Sequence, residues 1–197
     1  MSAALEEPFG RMTLLETAEM LSERLVGHRV EIIGGQITVT PPPDGPHGET
    51  LTDIMIPLWS AGLHGEDSRV VQGIGMWLPG GSSDYAIPDL SVVDADYRDH
   101  LIKHNCYDPA IFRLVVEVTS SNHLSDVKVK PGIYADAGVP AYLIVDRKNQ
   151  KVMVLTEPRD GEYRVHAVHH PGQSFTLPES IGASVTLAVD DVLAAKK

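Results

Sequence analysis

Apolar residues along the chain change period several times, and each change marks an element. Leu14, Leu15, Ala18, Leu21 and Leu25 recur at helical spacing, and Thr13 with Glu16 three positions on forms a capping box that would start the helix. Residues 28–33 and 36–40 flank Gly34-Gly35, a pair able to supply the positive φ values of a tight turn, so they read as a hairpin that Pro41-Pro42-Pro43 ends. A second helix opens near His47-Gly48-Glu49 with Leu51, Ile54, Met55 and Leu58 as its apolar stripe, and Pro57 should kink or end it. Residues 69–78 read as a strand in which Gly73 and Gly75 predict a bulge or a close backbone approach.

Two short apolar runs follow, and each carries an acid near one end. Ile87-Pro88-Asp89-Leu90-Ser91-Val92-Val93 reads as a strand that Pro88 can open, because a first position need not donate to a ladder. Residues 114–118 are rich in β-branched side chains and fit a strand covered on both faces, which would deliver Glu117 to its tip. Between the two, residues 94–109 are charged and without a clear period, and read as a connection. After the second run come Thr119-Ser120-Ser121-Asn122, short polar residues suited to a turn or helix start.

Asp126, Lys130 and Tyr134 would share a face on one continuous helix. Pro131, however, favours a start near Lys128 and an end near Gly138, which leaves Asp126 in the loop. Residues 141–145, 151–155, 163–168 and 174–177 read as later strands, and 189–195 as a closing helix. The succession is that of a mixed α/β or α+β fold with helices beside a central sheet.

If the two acid-bearing strands pair antiparallel, the start of the first lies beside the end of the second, and Asp89 meets Glu117. Two carboxylates can hold a hard divalent cation, which lowers the pKa of a bound water, and Lys130 from the following helix could steady that water or the developing charge. That is equipment for phosphodiester cleavage. Glu49 is a candidate third acid, although a negative charge there also complements a helix amino terminus. His100 and His104 lie four apart but have no evident third ligand, and are expected at a solvated surface.

The ordered set Pro88-Asp89, Glu117-Val118-Thr119-Ser120, Asp126, Lys130, Tyr134, Ala137-Gly138-Val139-Pro140 and Tyr142-Leu143-Ile144-Val145-Asp146 resembles the Uma-two family. That is a large bacterial group of restriction-endonuclease-like proteins within the PD-(D/E)XK nuclease superfamily. The resemblance implies a restriction-endonuclease-like mixed central sheet flanked by helices, and a metal-dependent endonuclease that hydrolyses nucleic acid, with DNA the expected substrate. It implies Asp89, Glu117 and Lys130 as catalytic residues, Asp89 and Glu117 as ligands of Mg2+ or Mn2+, and Glu49 and Asp126 as additional candidates. Thr119 stands two residues after the acid, where the superfamily pattern has lysine. A lysine displaced to the following helix is what resemblance to this family implies, so Lys130 takes the role. As an exposed helical residue it should serve chemistry and not folding, with Lys128 the next candidate.

Composition narrows the picture. The 197 residues suit one domain over residues 11–197 behind a loose arm at 1–10. A formal charge of -11 argues against a broad basic surface, so nucleic acid would need a local basic rim, for which Arg98, Lys103, Arg113, Lys128, Lys130, Arg147, Lys148 and Lys151 are candidates. Cys106 is alone, which excludes an intrachain disulfide and a multi-cysteine zinc site and suits a reducing cytoplasm. No secretory pattern opens the chain and no apolar run approaches membrane-spanning length, so no membrane partner is expected. One site per chain makes a homodimer the expected assembly for cutting a duplex. A serine or cysteine hydrolase is disfavoured, because no Gly-x-Ser-x-Gly motif occurs. The alternative is a catalytically silent interaction module that retains the nuclease fold.

Overall fold

A computed structural model describes residues 12–120 and 123–194, so the expected arm at 1–10 lies outside the described residues. Its elements are α1 (Leu14–Arg24), β1 (Arg29–Ile33), β2 (Gln36–Thr40), α2 (Gly45–Ser60), β3 (Ser68–Gln72), β4 (Gly75–Trp77), β5 (Tyr85–Ala86), β6 (Leu90–Asp94) and β7 (Leu101–Lys103). They continue with β8 (Cys106–Tyr107), β9 (Phe112–Val118), α3 (Lys130–Asp136), β10 (Ala141–Asp146), β11 (Lys151–Arg159), β12 (Glu162–His169), β13 (Ser174–Leu177), β14 (Val185–Ala188) and α4 (Val189–Leu193). The result is a mixed α+β fold with two large mixed sheets.

The central sheet runs in the order β12-β11-β10-β9-β6-β3, with β9 and β10 parallel and the other pairs antiparallel. The second sheet runs β2-β1-β5-β4-β8-β7, and β13 with β14 forms a separate hairpin. Strand β9 shows why the central sheet is held so firmly. Leu114, Val116 and Val118 pack with Leu51, Ile54 and Leu58 of α2 on one face, while Val115 on the other joins Tyr134, Tyr142 and Ile144. Each large apolar side chain buried this way contributes roughly 1.5–3 kcal/mol. The same alternation puts Glu117 on the second face, toward α3 and the second sheet.

The capping box at Thr13 and Glu16 and the Gly34-Gly35 hairpin form as expected, the two glycines at φ 59° and 71°. Other expectations change. Helix α2 continues past Pro57 to Ser60. The expected strand at 69–78 breaks at Gly73, whose φ is 66°, and its halves β3 and β4 join different sheets. Residues 94–109 are not an irregular connection, for they contain β7 and β8, turned through His104 and Asn105 in the left-handed region. Strand β14 was not anticipated.

Candidate active site

The site lies where β9, β6 and β1 approach one another. Leu90 pairs with Val116 across the antiparallel ladder, so Asp89, one residue before, stands beside Glu117. Asp89 Oδ2 accepts a 2.8 Å hydrogen bond from the Val118 backbone N–H, which fixes its carboxylate to β9. Glu117 Oε1 accepts from Lys130 Nζ at 2.7 Å and from the Tyr134 hydroxyl at 2.9 Å.

Lys130 arrives by an unusual helix. Residues Ser125–Val129 form a π-helical turn that runs into α3, placing Pro131 in the first α-helical turn. The wider turn accommodates a proline that a regular helix interior would reject. The Lys130 N–H reaches back to the Ser125 carbonyl, and the bypassed Asp126 carbonyl accepts the Tyr142 hydroxyl at 2.8 Å. The helical path therefore begins well before the expected start near Lys128, and Asp126 does share a face with Lys130, at 3.4 Å from its ammonium.

Lys130 is not exposed as expected, for it is 1% accessible. Its ammonium also lies 3.3 Å from Glu31 Oε1, so the three N–H groups face three carboxylates. Glu31 in turn accepts from the Ile87 N–H at 2.8 Å. Burial alone would lower the Lys130 pKa, but Glu117, Glu31 and Asp126 outweigh it and raise it. Burial raises Glu117 strongly, against the pull of Lys130 and with the help of Asp89 and Asp126. It likewise raises Asp126. For Asp89 burial loses, because His47 and the Arg29 guanidinium hold its carboxyl well below the usual range.

The remaining oxygens face one group. Arg29 Nη2 contacts Asp89 Oδ1, and Arg29 Nη1 lies 3.4 Å from Glu117 Oε2. Each carboxylate thus has one oxygen tied down by the fold and one turned to the guanidinium. Two hard oxygens aimed at a common cationic position match the chemistry of a divalent metal, so Asp89 and Glu117 fit such an ion. Among the described residues no group of three or more His, Cys, Asp or Glu side chains is arranged to hold one. His47 completes the pocket wall. It is buried, and its Nε2 stands 3.3 Å from Asp89 Oδ2, yet neither ring nitrogen has an aligned hydrogen-bond partner. Val118 and Ser120 line the same pocket.

The family model described as "Uma2: Putative restriction endonuclease" matches residues 18–190. The chain belongs to the Uma2 family. A crystal structure titled a "putative nuclease belonging to DUF820" from Anabaena variabilis ATCC 29413 is similar over 94% of this chain and 99% of that one, with a TM-score of 0.68 at 17% identity. That likeness shows the shared fold, and membership of Uma2 supports a nuclease. No curated protein matches.

Of the residues the sequence singled out, Asp89, Glu117, Asp126 and Lys130 come together and Glu49 does not, because it is exposed on α2 while His47, two positions earlier, turns inward. Lys128 is exposed, away from the pocket. His104 pairs with Glu19 at 2.6 Å and His100 lies 3.7 Å from Asp96, so the two histidines share nothing. In the expected basic rim Arg113 is engaged by Asp94 at 2.6 Å, and Arg147 by Asp44 at 3.0 Å. Sequence reading missed Arg29 and Glu31, and it expected His47, a residue that could bind a phosphate or cap the helix, to be solvated, whereas it is buried. Glu31 carried a signal, a charge between Val30 and Ile32 as Glu117 is between Val116 and Val118. His47 carried another, since it continues the stripe of Leu51, Ile54 and Leu58 by one helical step. No helix of the described residues is long and apolar enough to cross a membrane.

Proposed function

We propose that this protein is a divalent-metal-dependent endonuclease acting on DNA. The observation that carries the reading is the pair Asp89 and Glu117, held side by side beside a buried lysine, with one oxygen of each turned to a common cationic position that the Arg29 guanidinium occupies. Bound there, Mg2+ or Mn2+ would supply a Lewis acid for the phosphodiester and lower the pKa of its water. Asp89 and Glu117 would hold the ion. Lys130 and Tyr134 fix the Glu117 carboxylate through Oε1, and Lys130 keeps a positive charge near the bond being broken. Asp126 and Glu31 hold the Lys130 ammonium in place. His47 lines the pocket with Nε2 toward Asp89 and Nδ1 without a hydrogen-bond partner, which leaves Nδ1 for a water.

A cleavage screen over DNA and RNA with magnesium or manganese, run beside Glu117→Ala, tests this. Cleavage by the parent alone supports it. An inactive parent that also binds no metal favours a silent interaction module, a reading that the guanidinium between the two acids also suits. The proposed setting is a reducing cytoplasm, consistent with the buried free thiol of Cys106, and the proposed assembly is a twofold dimer. Monomer mass alone in light scattering at micromolar concentration, with and without DNA, would count against that assembly.

A further inference from the structure

Two cations enter this site, and they are held differently. Lys130 has a side chain 2% exposed and is enclosed by three carboxylates. Arg29 has a side chain 23% exposed, lines the pocket and reaches Asp89 and Glu117 from the neighbouring sheet. Its two nitrogens engage the carboxylate oxygens that no backbone group or lysine holds. A planar guanidinium can bridge two carboxylates in this way, whereas an ammonium is a point charge. Without a cation there, Asp89 Oδ1 and Glu117 Oε2 would face each other in a buried pocket with no donor between them, a costly arrangement.

Resting on the metal-dependent reading above, we propose that the Arg29 guanidinium holds the cation position and exchanges with the divalent ion, which releases it to bind a phosphate of the substrate. The two cannot share the position, because like charges a few ångströms apart in a poorly hydrated pocket repel strongly. Lys130 is too enclosed to leave, and Arg29 is the one with a path to solvent. Once released it offers paired N–H donors of the geometry that phosphate oxygens accept. Metal binding and phosphate binding are thereby coupled through one side chain.

The test measures Ca2+ and Mn2+ affinity by calorimetry, and affinity for a short mixed-sequence DNA duplex by fluorescence anisotropy with and without Ca2+. Parent, Arg29→Gln and Arg29→Lys are compared. Arg29→Gln should bind metal at least about tenfold more tightly than the parent, a factor that corresponds to about 1.4 kcal/mol. It should also lose most of the gain in DNA affinity that Ca2+ gives the parent. Arg29→Lys retains a cation for the two acids should the glutamine variant not fold, and should fall between the other two in metal affinity. In the parent, nuclear magnetic resonance of the Arg29 side chain should pass from a guanidinium of restricted rotation to a freely rotating one as metal is added.

Metal binding by the parent with unchanged affinity in both variants and an unchanged Arg29 signal would overturn the exchange and leave the nuclease reading standing. Absence of metal binding in all three proteins would overturn both.

Discussion

The two sheets that meet at the pocket supply opposite things. The central sheet contributes Asp89 and Glu117 from strands buried along nearly their whole length, and its own ladder helps to fix them through the Val118 N–H. The second sheet contributes Arg29 and Glu31 from β1, whose partner β2 is half exposed. Asp89 and Glu117 are therefore set against the most deeply buried strands of the molecule, and the guanidinium that faces them reaches over from the first residue of β1, in a hairpin whose other strand is half exposed. A site built this way keeps its acid geometry while the charge opposite changes.

Glu117→Ala should have the largest consequence. It removes a ligand position from the buried wall, and a Lewis acid in the transition state is worth several kcal/mol, so the cleavage rate should fall at least about a thousandfold. Arg29→Lys, on the more exposed wall, should cost far less. Equal losses in single-turnover cleavage would erase the contrast between the walls.

Lys130→Ala should be the most destabilising change at the site. Sequence alone places this lysine on an exposed helical face, where substitution changes stability by no more than about 0.5 kcal/mol. Buried against Glu117, Glu31 and Asp126, its removal leaves carboxylates without their counter-charge and should cost about 3–5 kcal/mol in urea unfolding. A cost under about 1 kcal/mol would mean that the ammonium is not where three carboxylates need it.

The pH dependence separates the walls again. Burial pushes Glu117 up to about 8 from the ordinary 4.5, so between those values the folded protein holds a proton that the unfolded chain has lost. Stability of the metal-free protein should therefore fall as pH rises through that window, by up to about 1.4 kcal/mol per unit for one proton. Glu117→Gln should flatten that slope. The depressed Asp89 acts in the opposite sense, giving stability above the ordinary carboxylate range that is lost only as pH falls below it. Unfolding midpoints across pH 5.5 to 8, parent against Glu117→Gln, decide it. Identical slopes would show that Glu117 is not the group holding the proton.

How much of this was legible in the sequence follows from which physics is local. Asp89 and Glu117 could be found because each interrupts an apolar run, and antiparallel pairing of neighbouring strands then brings them together. Arg29 could not be placed, since it meets them across 60 and 88 residues by a contact between sheets that no periodicity encodes. Lys130 was identified but its burial was hidden. Pro131 argued for a helix start beside it, and only a π-helical turn, satisfied by the Tyr142 hydroxyl, lets the helix run on and carry Asp126 onto the same face. The strand at 69–78 misled for a similar reason, because a single glycine in the left-handed region sends its halves to different sheets.

Glu49→Ala should have the smallest effect, and for that reason it tests how sharply the site is bounded. Helix α2 approaches the pocket at its amino terminus, where Asp44 caps it by accepting from the His47 N–H at 2.8 Å. From that start His47 turns toward Asp89, and Glu49, rotated about 200° further round a helix of 3.6 residues per turn, turns to solvent. Glu49 lies one turn past the start of α2, beyond the first turn in which a negative charge gains about 0.3–1 kcal/mol from the helix amino terminus, so its own gain is smaller still. Glu49→Ala should thus change unfolding by at most a few tenths of a kcal/mol in moderate salt and leave cleavage unaltered, while His47→Ala should lower cleavage through the pocket it lines. If Glu49→Ala were instead to impair cleavage as much as His47→Ala does, α2 would have to rotate toward the pocket when substrate binds. The buried wall would then include a helix that moves.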